Sequence, residues 1–326
     1  MAMTQLRPVE QTGEFDYLPD RIRDAQFSDE PFRHIVIQNF LSDAHFALVT
    51  GDPQVALPPA SSSRALIEML IEHGYKLKTF PGCTTDIETY LAGNRIKPGT
   101  LDGEYLEGFG LTFRLAEIRN EAIRRLIAFL NGPAFQAAIQ EKFGITRPNR
   151  IDTGIQKYLS GYEISPHPDI RSKCATYLLN INTDPRADAL PIHTHLLKFK
   201  PEKRFIYSFW EGNPDADRCW VPWDWCTSEK QITHNNSIVL FEAHNRSLHA
   251  IKLTYDHLPF QRTQIYGNLW YTDIEFEKPW IDYRQFDIRP RATDTKPGQS
   301  YRPVAHRSWR HRAGRFARLL GGGARH

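Results

Sequence analysis

A chain of 326 residues, 40% hydrophobic and 12% aromatic, can bury a full core as one large domain or as one domain with a small cap. Its 22 prolines, 20 glycines and frequent Trp, Tyr and Phe favour strands and turns over a helical bundle. No apolar run reaches the ~18 residues a spanning helix needs. Cys83, Cys174, Cys219 and Cys226 show no paired spacing and no secretory core opens the chain, so reduced thiols in a cytoplasmic protein are expected.

Residues 1–30 are polar and irregular, and read as a flexible N-terminal arm. His34-Ile35-Val36-Ile37 reads as a short strand, and Ser42 as the N-cap of a helix through Ala44, Leu48 and Val49. Residues 53–63 form a Pro- and Ser-rich loop, and 64–73 carry apolar residues at helical spacing. Gly and Pro recur without period over 81–110, which predicts a long loop lying over a pocket. Leu115, Ile118, Ile123, Leu126, Ile127 and Leu130 share one helical face, so a helix is predicted over 115–130. Asn131-Gly132-Pro133 stops it, and a second helix follows over 133–143.

From Arg150 the pattern changes to short strands, predicted at 151–158, 162–167, 175–181, 205–209, 237–241, 248–252 and 263–271. Turns such as Ser160-Gly161, Asp184-Pro185 and Asn235-Asn236 separate them. Many short antiparallel strands at this spacing suggest a jelly roll or a sandwich.

His167-Pro168-Asp169 lies at the end of one such strand. Residues i and i+2 of a strand point to one face, so the pair supplies two thirds of a two-His, one-carboxylate facial site for non-haem iron. Pro168 confines it to a strand end or edge. The third ligand should be a neutral His near a late strand, and His249 in Ser247-Leu248-His249-Ala250-Ile251 fits. Arg262 opens the next strand. Facing inward, it needs an anion, and its planar fork suits the carboxylate of a small diacid bridging to the metal. His193 and His195 form a second H-x-H pair, read as a loop feature because no third ligand is near. Trp220, Trp223 and Trp225 either stack on a flat substrate or pack the outside of the sandwich, and packing is favoured.

Tyr158, Gly161, His167 with Asp169, the strand from Ala175 to Asn182, His249 and Arg262 follow one another in this order, and Pro31 to Leu41 opens the region. That series resembles the iron(II)/2-oxoglutarate-dependent dioxygenases of the prolyl-4-hydroxylase-like branch, over roughly residues 31–272. The resemblance implies a double-stranded β-helix (jelly roll) over about 145–272, buttressed by N-terminal helices. It implies iron(II) held by His167, Asp169 and His249. It implies Arg262 on the distal carboxylate of 2-oxoglutarate, with Tyr158 beside it and Asn180 where relatives often place a Tyr. Dioxygen would be the oxidant and ascorbate a supporting reductant. The implied activity is hydroxylation of an unactivated C–H bond. The substrate is expected to be a small molecule or a saccharide, lipid-linked as in Kdo of lipopolysaccharide, or else a protein or peptide side chain. A non-catalytic jelly-roll binding module is the reading from another class.

The tail, 273–326, is irregular and basic. After Asp294 it has eight Lys and Arg and no acidic residue, and removing these eight from the net +3 leaves the rest at about −5. On a helix over 306–320, Trp309, Ala313, Phe316, Ala317 and Leu320 share a face, which suits peripheral contact with the inner face of a membrane. A disordered basic tail is the alternative. Nucleic acid is not expected, since no binding motif accompanies the charge.

Overall fold

The computed structural model describes residues 13–78, 86–93, 110–218 and 220–274. The predicted basic helix at 306–320 and most of the predicted loop at 81–110 lie outside the described residues.

The N-terminal half supplies most of the helices: α1 (Tyr17–Asp24), α2 (Asp43–Thr50), α3 (Ser63–Glu72), α4 (Ile87–Leu91), α5 (Glu121–Leu130) and α6 (Pro133–Phe143). Strands β1 (His34–Ile37), β2 (Tyr75–Leu77) and β3 (Thr112–Leu115) run between them. The rest is β4 (Asn149–Tyr158), β5 (Glu163–His167), β6 (Lys173–Asn180), β7 (Thr194–Phe199), α7 (Phe205–Gly212), β8 (Cys226–Ile232), β9 (Ile238–Glu242), β10 (His249–Lys252) and β11 (Arg262–Tyr271).

Local sequence explains the helix ends. Ser42 and Ser62 accept hydrogen bonds from the backbone N–H groups of His45 and Ala65, and Pro133 occupies the first turn of α6, where its missing N–H costs nothing. Gly144 closes α6 in the left-handed conformation at φ 70°.

Two antiparallel sheets result, of seven strands in the order β1-β9-β6-β11-β4-β3-β2 and of four in the order β5-β10-β7-β8. Alternation along the strands sorts the large sheet into two faces. Ile155, Tyr177, Leu179, Ile238, Leu240, Ile265 and Leu269 pack against Leu18, Leu66, Leu126, Phe135 and Ile139 of the helices. On the opposite face Val239 and Phe241 meet Leu196 and Ile232 of the small sheet, and Tyr158 meets Ile192, Ile251, Leu253 and Phe260. Each fully buried aliphatic side chain stabilises the fold by about 1.5–3 kcal/mol. The architecture is two antiparallel sheets, with helices against the outer face of the larger one.

Four expectations need correction. Residues 13–24 are no loose arm: α1 forms there, and Phe15, Leu18 and Ile22 are buried in the helical core. The helix predicted over 115–130 starts only at Glu121, because Asn120 caps it by accepting from the N–H of Ala122 at 2.9 Å. Leu115 instead ends β3, opposite Tyr75. Residues 205–209 form a helix rather than a strand, burying Ile206 and Trp210 four residues apart. Strands β7 and β8, absent from the sequence reading, complete the small sheet. Among the described residues Cys174 and Cys226 are free and buried. Among the described residues no helix is long and apolar enough to cross a membrane.

Candidate metal centre and anion pocket

His167 ends β5 and His249 begins β10, directly opposite each other in the antiparallel register. Between this pair and Ile251 opposite Ile164, β5 carries one residue more than β10. The bulge falls at Ser165 and Pro166, where a residue without an N–H is tolerated. There the two imidazoles come together, tilted at 47° with ring centroids 4.4 Å apart. Asp169 follows two residues after His167, with Oδ2 3.9 Å from His249 Nε2. One ligand atom from each of His167, Asp169 and His249 lies within 4.8 Å of the others.

The protons are arranged for a metal. His167 Nδ1 donates to Ser165 O at 2.8 Å and His249 Nδ1 to Ser247 O at 2.9 Å, since a carbonyl can only accept. Both Nε2 lone pairs are thereby left free. Burial pushes the His167 imidazole down to about 3, with His249 beside it adding to the effect, and burial lowers His249 too. Burial opposes ionisation of Asp169, but Lys173 and then the two imidazoles outweigh it and hold the carboxyl well below the usual range. At neutral pH the cluster is two neutral imidazoles and one carboxylate, the protonation state a divalent cation requires. Lys173 Nζ lies 2.6 Å from Asp169 Oδ1, and Thr176 Oγ1 donates to Oδ2 at 2.5 Å. Sequence reasoning missed both residues; the only signal was their place just beyond the motif.

The loop after Asp169 is anchored by Arg171, which reaches into the end of α7. Its Nε donates to Ala216 O and its Nη2 to Trp210 O, both at 2.7 Å, while its backbone N–H donates to Asp217 Oδ1. Arg171 thus ties the metal loop to the long β7–β8 connection.

Arg262 opens β11 opposite Tyr158. Only 1% exposed, its guanidinium lies 4.5 Å over the Tyr158 ring. Nη2 donates to Thr194 Oγ1 at 3.0 Å, yet Nε and Nη1 are buried without any hydrogen bond. A buried cation with two orphaned donor atoms is costly, and an anion placed against the guanidinium would relieve that cost. Tyr255, also missed from the sequence, fixes this corner: its hydroxyl donates to Tyr158 O at 2.6 Å and accepts from the Arg262 N–H at 2.9 Å.

Tyr158 OH donates to Gln264 Oε1 at 3.2 Å, and Gln264 Nε2 donates to Asn180 Oδ1 at 2.7 Å. Both N–H bonds of Asn180 go to the carbonyls of Ile232 and His234. Asn180 therefore orients Gln264, and through it Tyr158. His193 and His195 stand apart from the metal cluster: His193 is buried and donates to Ala187 O, while His195 pairs with Ser228 and meets the edge of Trp223. Trp223 donates to Glu163 at 2.7 Å and Trp225 is 2% exposed, so these two tryptophans pack.

No family model matches the sequence, and no curated protein matches it. Among solved structures the chain is similar to a prolyl-4-hydroxylase of Pseudomonas putida, with 10% identity over 79% of this chain and 98% of that one, at a TM-score of 0.39. It is similar also to the epimerase SnoN in complex with Fe3+, alpha-ketoglutarate and nogalamycin RO, with 13% identity over 89% and 93% and a TM-score of 0.39. A third is HygX of Streptomyces hygroscopicus with nickel, 2-oxoglutarate and hygromycin B bound, with 8% identity over 83% and 96% and a TM-score of 0.36. At such identities and TM-scores, a functional reading has to stand on this chain's own side chains.

Proposed function

We propose that this chain is an iron(II)- and 2-oxoglutarate-dependent oxygenase that hydroxylates a C–H bond, with a saccharide as substrate. The observation that carries the reading is the combination of His167, Asp169 and His249 within reach of one ion with the orphaned Nε and Nη1 of Arg262. Two imidazoles and one carboxylate are the donor set of non-haem iron, with coordination positions left open. A diacid with a 2-oxo group suits both ends of the pocket.

The strand order supports the fold half of the proposal. Strands β4 to β11 pass back and forth between the sheets as β9-β6-β11-β4 and β5-β10-β7-β8, with β7 and β8 alone following one another in the same sheet, which we read as a double-stranded β-helix. In that reading the ligands sit at the mouth and the arginine on a strand of the facing sheet. When bound, iron(II) with 2-oxoglutarate and dioxygen supplies the oxidation of an unactivated C–H bond, with release of succinate and carbon dioxide. The residues of this chain hold and orient. The two Nε2 atoms and Asp169 Oδ2 bind the ion, Arg262 with Thr194 holds the distal carboxylate, and Tyr158 lines it under the control of Gln264 and Asn180.

Reconstitution with iron(II) under anaerobic conditions, followed by assay of succinate released from 2-oxoglutarate, tests the reading. Wild type should bind about one iron per chain and release succinate, and Asp169→Ala should do neither. A wild-type protein that takes up no iron would leave a jelly-roll binding module in place of the enzyme.

A further inference from the structure

Asn268 is 8% exposed, and its carboxamide has no hydrogen-bond partner among the described residues. Alternation along β11 decides where it points. Ile265 and Leu269 face the helices, whereas Arg262 and Gln264 face the interior, bonded to Thr194 and Tyr158. Asn268 shares their side. In register it stands between Asp152 on β4 and Thr176 on β6. Directly opposed side chains of an antiparallel pair have Cβ atoms about 4.5–5.5 Å apart. Asn268 is therefore one strand spacing from the hydroxyl that donates to Asp169 Oδ2.

Two neighbours complete a polar wall. Tyr266, 9% exposed, lies across Gly154, where a Cβ would come within 2.9 Å of its hydroxyl. The hydroxyl has no hydrogen-bond partner among the described residues. Arg114 covers the ring at 4.1 Å and is held by Gln156 Oε1 at 2.7 Å. Asp152 faces the same way, because the odd-numbered Ile151 and Ile155 of the same strand turn to the helices.

We propose that Asp152, Tyr266 and Asn268 form the substrate-binding wall beside the metal cluster and take a polyhydroxylated ligand, a saccharide or polyol, through its hydroxyl groups. This rests on the oxygenase reading of the cluster. A carboxylate only accepts hydrogen bonds, while a carboxamide and a phenol both donate and accept. Hydroxyl groups answer all three. An aliphatic ligand would leave the Asn268 amide unsatisfied in a buried place. An acid group would confront the carboxylate of Asp152, and two cations of this face are already engaged, Arg114 by Gln156 and Tyr266 and Lys173 by Asp169.

The test uses full-length protein loaded with Mn2+ and 2-oxoglutarate without oxygen. Hexoses, hexitols and methyl glycosides are titrated in, alongside aliphatic carboxylic acids, alkylamines and tripeptides, with Tm and calorimetric Kd as readouts. One or more of the polyhydroxylated probes should raise Tm. Asn268→Ala and the near-isosteric Asp152→Asn should each weaken that probe about tenfold or more, as expected for a lost buried hydrogen bond. Asp152→Asn keeps the side-chain shape, so a folding defect in Asn268→Ala does not mask the outcome. Polyol binding unaffected by both substitutions overturns the proposal. So does stabilisation by acids, amines or peptides alone, or by no probe at all. Failure of the oxygenase reading shows separately, as absent Mn2+ or 2-oxoglutarate binding in wild type before any probe is added.

Discussion

Lys173 and Asp169 form an ion pair at 2.6 Å in which the aspartate side chain is 5% exposed and the lysine side chain 17%. The ammonium also lies 5.3 Å from the Trp270 ring. A carboxylate so deeply placed needs a counter-charge whenever no metal is there to provide it, and Lys173 provides it.

Lys173→Met should destabilise the metal-free protein by about 3 kcal/mol, the usual cost of leaving one partner of a buried pair alone. Added Ni2+ or Mn2+ should restore most of that loss, so the metal-induced gain in stability is larger in the variant than in wild type. Urea denaturation with and without metal measures both. Equal metal-free stability would show that Lys173 does not compensate Asp169.

Arg262→Met removes a cation whose Nε and Nη1 have no acceptor. The variant without cosubstrate is expected to be as stable as wild type or about 1–2 kcal/mol more stable. Its Kd for 2-oxoglutarate should rise on the order of 100-fold, since a charge-assisted two-point contact is lost. Denaturation and calorimetry give the two numbers, and their opposite signs would identify a residue kept for binding rather than for folding.

Lys157 is 1% exposed, with its ammonium on Val55 O at 2.7 Å and Thr263 Oγ1 at 2.9 Å, and burial pushes its pKa down to about 7. An unfolded lysine titrates near 10.4. Between these values the unfolded chain holds a proton that the folded chain does not, so stability rises with pH through this window. Below about 7 both states are protonated and that contribution is absent. Relative to Lys157→Met, wild type should therefore gain up to about 1.4 kcal/mol per pH unit between pH 7.5 and 9. Parallel pH profiles of the two proteins would refute this.

Gly267 sits beneath the Tyr177 ring, where any Cβ would overlap the ring carbons. Gly267→Ala should cost about 3 kcal/mol or more through overpacking. Combination with Tyr177→Ala should recover part of the loss, which a double-mutant cycle detects as coupling between the two positions. Strict additivity would rule out the steric account.

The sequence was most legible where chemistry is local. The two-residue spacing of His167 and Asp169, and a later His at a strand edge, predicted a cluster that the fold brings together. The helices Asp43–Thr50 and Pro133–Phe143 carried caps or stop residues that could be read directly, and Ser63–Glu72 showed its apolar spacing. What escaped depended on tertiary partners. Strand β8, reading Cys226-Thr-Ser-Glu-Lys-Gln-Ile232, exposes most of its side chains at the sheet edge and so lacks an apolar alternation. Phe205 to Phe209 is rich in residues that favour strands, but burial of Ile206 and Trp210 on one helical side overrides that preference. Lys173, Thr176, Thr194 and Tyr255 carry no motif at all, because their importance arises from what they touch on neighbouring strands.

Arg171 has a consequence for how this protein can change. Its guanidinium and backbone lock the segment after Asp169 to the excursion containing α7. An alteration in that excursion is transmitted to the cluster of His167, Asp169 and His249, and one beside the cluster is transmitted outward. Divergence of the two must go hand in hand: a graft of the excursion alone would arrive without its anchor, whereas one that also carries the stretch from His167 to Lys173 would travel as a working piece.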